Sequence, residues 1–246
     1  MHTLSQPQAI QAVFFDVGYT MLAPHPSVQD IVWTVCRDRG TPVERACLDQ
    51  HLPLAEATLR SLVRADPWTW SNDNSIELVW RAYFTDLLKP CLPNLSPPEL
   101  AACAEEVRII FEQAGSYALF PDVLPVLATL HARHLTLGII SDWGISLSLI
   151  LRHHDLIQYF KFAVVSAAVR LAKPDPELFQ TALRRADSIA DYTLHVGDSY
   201  PLDVLGARAA GITPVLLDRG GKYNPDELDC ITIRNLYGLL QVMQLD

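Results

Sequence analysis

Apolar and polar positions along this chain follow two different rhythms. Ala12 to Val17 (AVFFDV) is a short apolar run of β-branched and aromatic residues, stopped by a turn at Gly18. That is how a strand buried on both faces of a parallel sheet reads. From about Ser27 to Gly115 the spacing becomes helical, in SVQDIVWTVCRDRG, VERACLDQHLPLAEATLRSLVRA, SIELVWRAYFTDLL and SPPELAACAEEVRIIFEQA. Helix-start signals stand at Ser27, Thr41-Pro42, Asn74-Ser75 and Ser96 with Glu99 three residues on. Pro53 predicts that the second of these helices is kinked or split.

After about Tyr117 helices and strands alternate. PDVLPVLATLHARH leads to LTLGIIS, ISLSLILRHH to FKFAVVS, PDPELFQTALRRA to YTLHVG, and PLDVLGARAAG to ITPVLLD. A weaker strand, CITIR, precedes a last helix. Repeated αβ units with short apolar strands predict a Rossmann-like α/β fold, a parallel sheet layered between helices. The strand at 12–17 has no partner nearby in sequence, so it joins this later sheet. Residues 1–22 and 116–246 then form the sheet-bearing core, and 23–115 are an all-helical insertion.

Composition narrows the class. Of 246 residues half are hydrophobic and 19% are charged, enough for a large core and against disorder. The net charge of -9 argues against nucleic-acid binding, which needs a basic face. It leaves room for a small anionic substrate if a bound cation supplies local positive charge. The polar N-terminus carries no basic leader, and no run of about 18 apolar residues occurs, so neither a signal peptide nor a membrane span is expected. The five cysteines are scattered, odd in number and form no CxxC. They read as reduced thiols of a cytoplasmic protein, not as a disulfide frame or zinc site. Whether the chain is a monomer or a homodimer is not written in the sequence.

Ligands of open parallel sheets bind beyond the carboxyl ends of the strands. Here those ends carry Asp16, Ser141-Asp142, Ser166 with Lys173 following, and Gly197-Asp198-Ser199. One aspartate at such a place is most often a helix cap. Three carboxylates and a lysine on one sheet edge repel or attract strongly enough to need a common purpose.

The ordered set FDVGYT, IISD, KPDPELF and HVGDSYPLDVLGARAAG resembles the four motifs of the haloacid dehalogenase superfamily. The helical insertion resembles that superfamily's C1-type cap, and the whole looks closest to its REG-2-like and haloacid-dehalogenase-like branch. The resemblance implies a Mg²⁺-dependent hydrolase, a phosphatase of small phosphorylated metabolites. Asp16 would be the nucleophile that forms an aspartyl-phosphate. Asp16, the Gly18 carbonyl and Asp198 would hold the metal, with Asp203 beside it orienting Lys173 or a metal-bound water. Lys173, the Ser141 hydroxyl and the Asp142 backbone N–H would hold the phosphoryl oxygens. Thr20 would steady the loop after the nucleophile.

One position departs from that pattern. Phosphatases of the superfamily usually read DxDxT in the first motif, the second aspartate moving the proton, and here Gly18 stands in its place. Three readings stay open: a phosphatase using another acid/base, Tyr19 or His25 being nearby; a different leaving group, as in a 2-haloacid dehalogenase or a phosphonatase, for which the insertion offers only Lys89; or a descendant that binds a phosphorylated ligand or a protein without turnover. His195 reads as a core histidine, Trp33 and Trp80 as packing residues of the insertion, and Trp68 and Trp70 as part of a packed connection that could instead close over the site.

Overall fold

The computed structural model describes residues 3–245 apart from Pro67. Met1 and His2, which begin the polar N-terminal stretch, and Pro67 of the DPWTWSNDN connection lie outside the described residues, as does Asp246.

Six strands form one all-parallel sheet: β1 (Ala12–Phe15), β4 (Thr136–Ser141), β5 (Phe162–Val165), β6 (Thr193–Gly197), β7 (Thr213–Leu217) and β8 (Ile231–Ile233). Their order is β5-β4-β1-β6-β7-β8. The weak CITIR signal is thus a real edge strand. The strand at 12–17 does join the later sheet, at its centre, with β4 on one side and β6 on the other. Alternation along β1 feeds both faces. Val13 and Phe15 belong to the cluster formed with α5 (Val123–Ala132), α6 (Leu147–His153) and α10 (Tyr237–Val242). Ala12 and Phe14 belong to the opposite cluster, with α8 (Pro176–Ala186) and α9 (Leu205–Ala209). All four side chains are fully buried, which is why β1 reads as an unbroken apolar run. The fold is therefore Rossmann-like α/β.

Between β1 and β4 the chain forms four helices: α1 (Val28–Asp38), α2 (Arg45–Ala65), α3 (Asp73–Leu88) and α4 (Pro97–Phe111). Ser27 caps α1 by accepting from the Asp30 amide at 3.1 Å, and Glu99 accepts from the Ser96 amide at 2.8 Å at the start of α4. Asn72, two residues before the expected start, caps α3 by accepting from the Ser75 amide. The second helix is not split: α2 runs on through Pro53. The missing proline N–H costs one hydrogen bond, while Leu48 and Ala55 on either side stay buried. Trp80 packs against Tyr83, Phe84 and Phe111, as a packing residue should.

Two features escaped the pattern. Leu22–Pro24 (β2) and Tyr117–Leu119 (β3) pair antiparallel where the chain leaves and re-enters the sheet region; three-residue strands are too short to leave a period. The other is a disulfide, Cys47–Cys91, joining α2 to the turn after α3. This corrects the expectation of five reduced thiols. Cys36, Cys103 and Cys230 are free and buried. Forty-four residues separate the bonded pair, and only the helix packing brings them together. Among the described residues no helix is long and apolar enough to cross a membrane.

Candidate active site

The site lies where β1 and its neighbours end. Asp16 follows β1, its amide donating to the Val196 carbonyl of β6 at 2.9 Å. The chain then turns sharply, Met21 and Leu22 both returning amides to the Val17 carbonyl. Tyr19 takes a left-handed conformation (φ 54°) within that turn, a local cost of the kind that collects at functional loops. Thr20 is fully buried, and its hydroxyl has no hydrogen-bond partner among the described residues.

Lys173 reaches in from the loop before α8 and is almost wholly buried. Its ammonium donates to Asp16 Oδ1 at 2.7 Å and to Asp203 Oδ1 at 2.6 Å. Its backbone amide donates to Asp142 Oδ1 at 3.0 Å. Burial alone would lower the pKa of this lysine, but the carboxylates of Asp16, Asp203 and Asp142 overcome it and push it upward. Lys173 therefore stays charged.

Asp203 sits in a π-helical turn, Tyr200–Val204, just before α9. Its Oδ1 accepts from Lys173 and from His195 Nε2 at 2.8 Å, and its Oδ2 from the Ser199 amide at 3.0 Å. Burial works to raise its pKa, yet Lys173 and His195 hold it far below the usual carboxylate range. Gly197 makes this possible: a Cβ there would stand 2.1 Å from Asp203 Cγ. His195 is not an idle core residue. Burial lowers its pKa, so the neutral ring donates through Nε2 to Asp203. Its Nδ1 has no partner among the described residues, and its ring packs edge-on against Phe179. Its position in an apolar strand hid this pairing from the sequence.

Asp16 is pushed up to about 7, chiefly by burial, with Asp203 and Asp198 adding to it and Lys173 opposing. Asp142, partly buried and with its Oδ2 unpartnered among the described residues, is also pushed up to about 7 by desolvation. Asp198 is raised by burial as well. Ligand oxygens of Asp16, Asp198 and Asp203 all lie within 4.8 Å of one another. Three carboxylates held this close face two ammonium groups, Lys173 and Lys222, and remain net negative; all-oxygen donors suit a hard cation such as Mg²⁺. Both oxygens of Asp203 are already accepting, which leaves Asp16 and Asp198 as the better donors. Ser141 is buried at the end of β4, and Trp143 beyond it borders Gly18.

Two basic residues near the site gave no sequence signal. Arg219, after β7, forms a two-pronged pair with Asp122 (2.9 Å each) and donates to the Thr20 carbonyl at 2.9 Å. Its guanidinium also lies over Phe120. It thus fastens the nucleophile loop to the start of α5. Lys222 donates to Asp198 Oδ2 at 2.7 Å. Both pairs join residues far apart in the chain, so no local motif announces them. His25 is exposed just past β2, and Lys89 is exposed at the end of α3.

The sequence profile of haloacid dehalogenase-like hydrolases matches residues 70–217, well over half of the chain. The chain belongs to the haloacid dehalogenase-like hydrolase family. Within it, the chain is 38% identical over 210 residues to the zebrafish (Danio rerio) haloacid dehalogenase-like hydrolase domain-containing protein 3, covering 85% of this chain and 86% of that one. It is 29% identical over 230 residues to a phosphoserine phosphatase of Thermus thermophilus, covering 86% and 90%. Among solved structures, the 2-haloacid dehalogenase of Pseudomonas syringae superposes with a TM-score of 0.62 at 28% identity, covering 96% and 98%. This haloacid dehalogenase-like protein is accordingly a hydrolase.

Proposed function

We propose that this hydrolase is a Mg²⁺-dependent phosphatase of a small phosphorylated metabolite, working through an aspartyl-phosphate at Asp16. The observation that carries the reading is Lys173, buried and bridging Asp16 and Asp203 at 2.7 and 2.6 Å. A fixed ammonium beside an attacking carboxylate is placed to meet phosphoryl charge. The phosphatase among the relatives supports the same class.

Asp16 attacks phosphorus while Lys173 keeps the carboxylate aimed and draws in the phosphoryl oxygens. Asp203, itself fixed by His195 and the Ser199 amide, keeps Lys173 from turning away. Ser141 and the Asp142 amide complete the cradle, and Thr20 steadies the loop. Mg²⁺ held by Asp16, Asp198 and the Gly18 carbonyl would offset charge between carboxylate and phosphate. The helical insertion 23–115 acts as the cap that excludes water and chooses the substrate.

With Gly18 at the acid/base position, Tyr19 is the better placed of the two substitutes. It adjoins Gly18, and partial desolvation, Glu56 and Asp198 all oppose loss of its proton, so its phenol is protonated at neutral pH. In this reading Tyr19 donates to the leaving oxygen.

The decisive measurement is release of p-nitrophenol from its phosphate ester with Mg²⁺, in the native protein and in Asp16→Asn. Turnover that vanishes in the variant is expected. Metal-independent halide release from 2-haloacids, with no phosphate ester hydrolysed, would replace this reading by the dehalogenase one.

A further inference from the structure

Cys47, His51 and Cys91 form a compact group on the helical insertion, remote in sequence from every residue of the active site. Cys47 and His51 are four residues apart on α2 and so share a face. Cys91 comes to them from the turn after α3, its Cα 5.7 Å from that of Cys47. His51 Nδ1 lies 3.5 Å from Cys47 Sγ and 4.0 Å from Cys91 Sγ. The ligand atoms of all three lie within 4.8 Å of one another, and all three residues are partly buried, within reach of solutes.

A disulfide does not explain the histidine. A disulfide sulfur accepts hydrogen bonds poorly, and Nδ1 already has the Cys47 carbonyl at 2.9 Å. Two sulfurs and one imidazole nitrogen converging on a point are, however, a donor set for a soft or borderline divalent ion. A tetrahedral zinc site with Zn–S of about 2.3 Å and Zn–N of about 2.0–2.1 Å has S···N edges of about 3.6 Å. The two S···N separations here already bracket that value.

We propose that the reduced protein binds a soft divalent cation, Zn²⁺ best, on Cys47, His51 and Cys91, and that the disulfide is the alternative, metal-free state of the same clip. A dithiol reductant opens the S–S bond. Two electrons enter the protein sulfurs, two protons make them thiols, and the reductant leaves as its own disulfide. Metal entry then releases both thiol protons to solvent. A neutral imidazole coordinates through one nitrogen and keeps its proton on the other. Coordination through Nδ1 therefore moves the proton to Nε2 and gives up the contact with the Cys47 carbonyl. The fourth position is left to water. Either state ties α2 to the α3–α4 turn, so the insertion keeps one clip under oxidising and under reducing conditions.

The test uses the full chain, reduced with dithiothreitol and desalted under argon. Co²⁺ titration should give a thiolate-to-metal charge-transfer band that saturates at one ion per chain. Zn²⁺ should displace the Co²⁺ and raise the melting temperature of the reduced protein. Cys91→Ser should abolish the band, and His51→Ala should weaken Co²⁺ affinity at least tenfold. Asp198→Asn, at the other cation site, and Cys103→Ala, in the buried Cys36–Cys103 pair, should leave the band unchanged. The unreduced protein is the control that needs no substitution, and it should show no band. A reduced protein without a thiolate band overturns the proposal. So does a band that persists in Cys91→Ser and in Cys47→Ser, or one of equal affinity in His51→Ala.

Discussion

Gly18 is the residue on which the proposed proton transfer turns. A Cβ added there would meet only the edge of the Trp143 ring, at 3.4 Å, an ordinary contact, and its backbone is not in the left-handed region. The position therefore has room for a β-carbon. Gly18→Asp should raise kcat on phosphate esters of poor leaving groups, such as alkyl phosphates, by about 10²–10³-fold, within the usual worth of general acid–base catalysis, with the melting temperature nearly unchanged. If Tyr19 is the acid in the native protein, Tyr19→Phe should slow esters of poor leaving groups far more than p-nitrophenyl phosphate. Asp142 offers a test through pH. Its carboxyl is pushed up to about 7 in the fold against 3.8 in the open chain. The folded state thus favours the protonated form. Its contribution is fully present below the open-chain value and is lost as pH rises toward 7. That loss is on the order of 2–4 kcal/mol. Asp142→Asn keeps an acceptor for the Lys173 amide, and its urea stability, measured with a chelator present, should decline less between pH 4 and 7 than that of the native protein.

The elements show why some of this was readable in advance. β1 announced itself because both of its faces are buried, and the ends of β1, β4 and β6 pointed to the candidate site because each stops at a carboxylate. The fastening of those groups was not readable. Asp203 is set by a π-helical turn folded against a glycine, and no hydrophobic period encodes that. Gly197→Ala forces a methyl group into the Asp203 carboxylate. It should cost about 1–3 kcal/mol in overpacking and should lower activity further by releasing Lys173. Comparing urea midpoint with kcat at saturating Mg²⁺ separates the two effects. Arg219 was equally silent, since Asp122 is 97 residues away. Arg219→Ala leaves the nearly buried Asp122 carboxylate with only the Leu236 amide and no cation and should destabilise by about 3 kcal/mol, the lower end for breaking a buried pair, as read by the same urea melt.

At the scale of the whole molecule, the division into a parallel sheet and a helical segment followed from the change of rhythm near Ser27 and Tyr117. The joints between the two did not. The Ser166 hydroxyl donates to the Trp70 carbonyl at 2.6 Å, and Asp73 Oδ1 accepts from the Ile145 amide at 3.0 Å. Trp70 and Asp73 thus land on the segments that follow β5 and β4, with Trp70 packed on Trp80 and Trp68 left exposed. Asp73→Ala removes one of these bonds, worth about 1 kcal/mol. Hydrogen exchange at Ile145 should quicken about fivefold, with little change at β1.

The β2–β3 ribbon adds a mechanical consequence. Because the outgoing and returning strands are laced to each other, the 92 or so residues between them hang from a double strap and not from two separate tethers. Swinging about a strap requires twisting a short ladder, with no bond broken in the sheet below. Asp16, rooted at the end of the central strand, can therefore stay still while the roof above it lifts and settles.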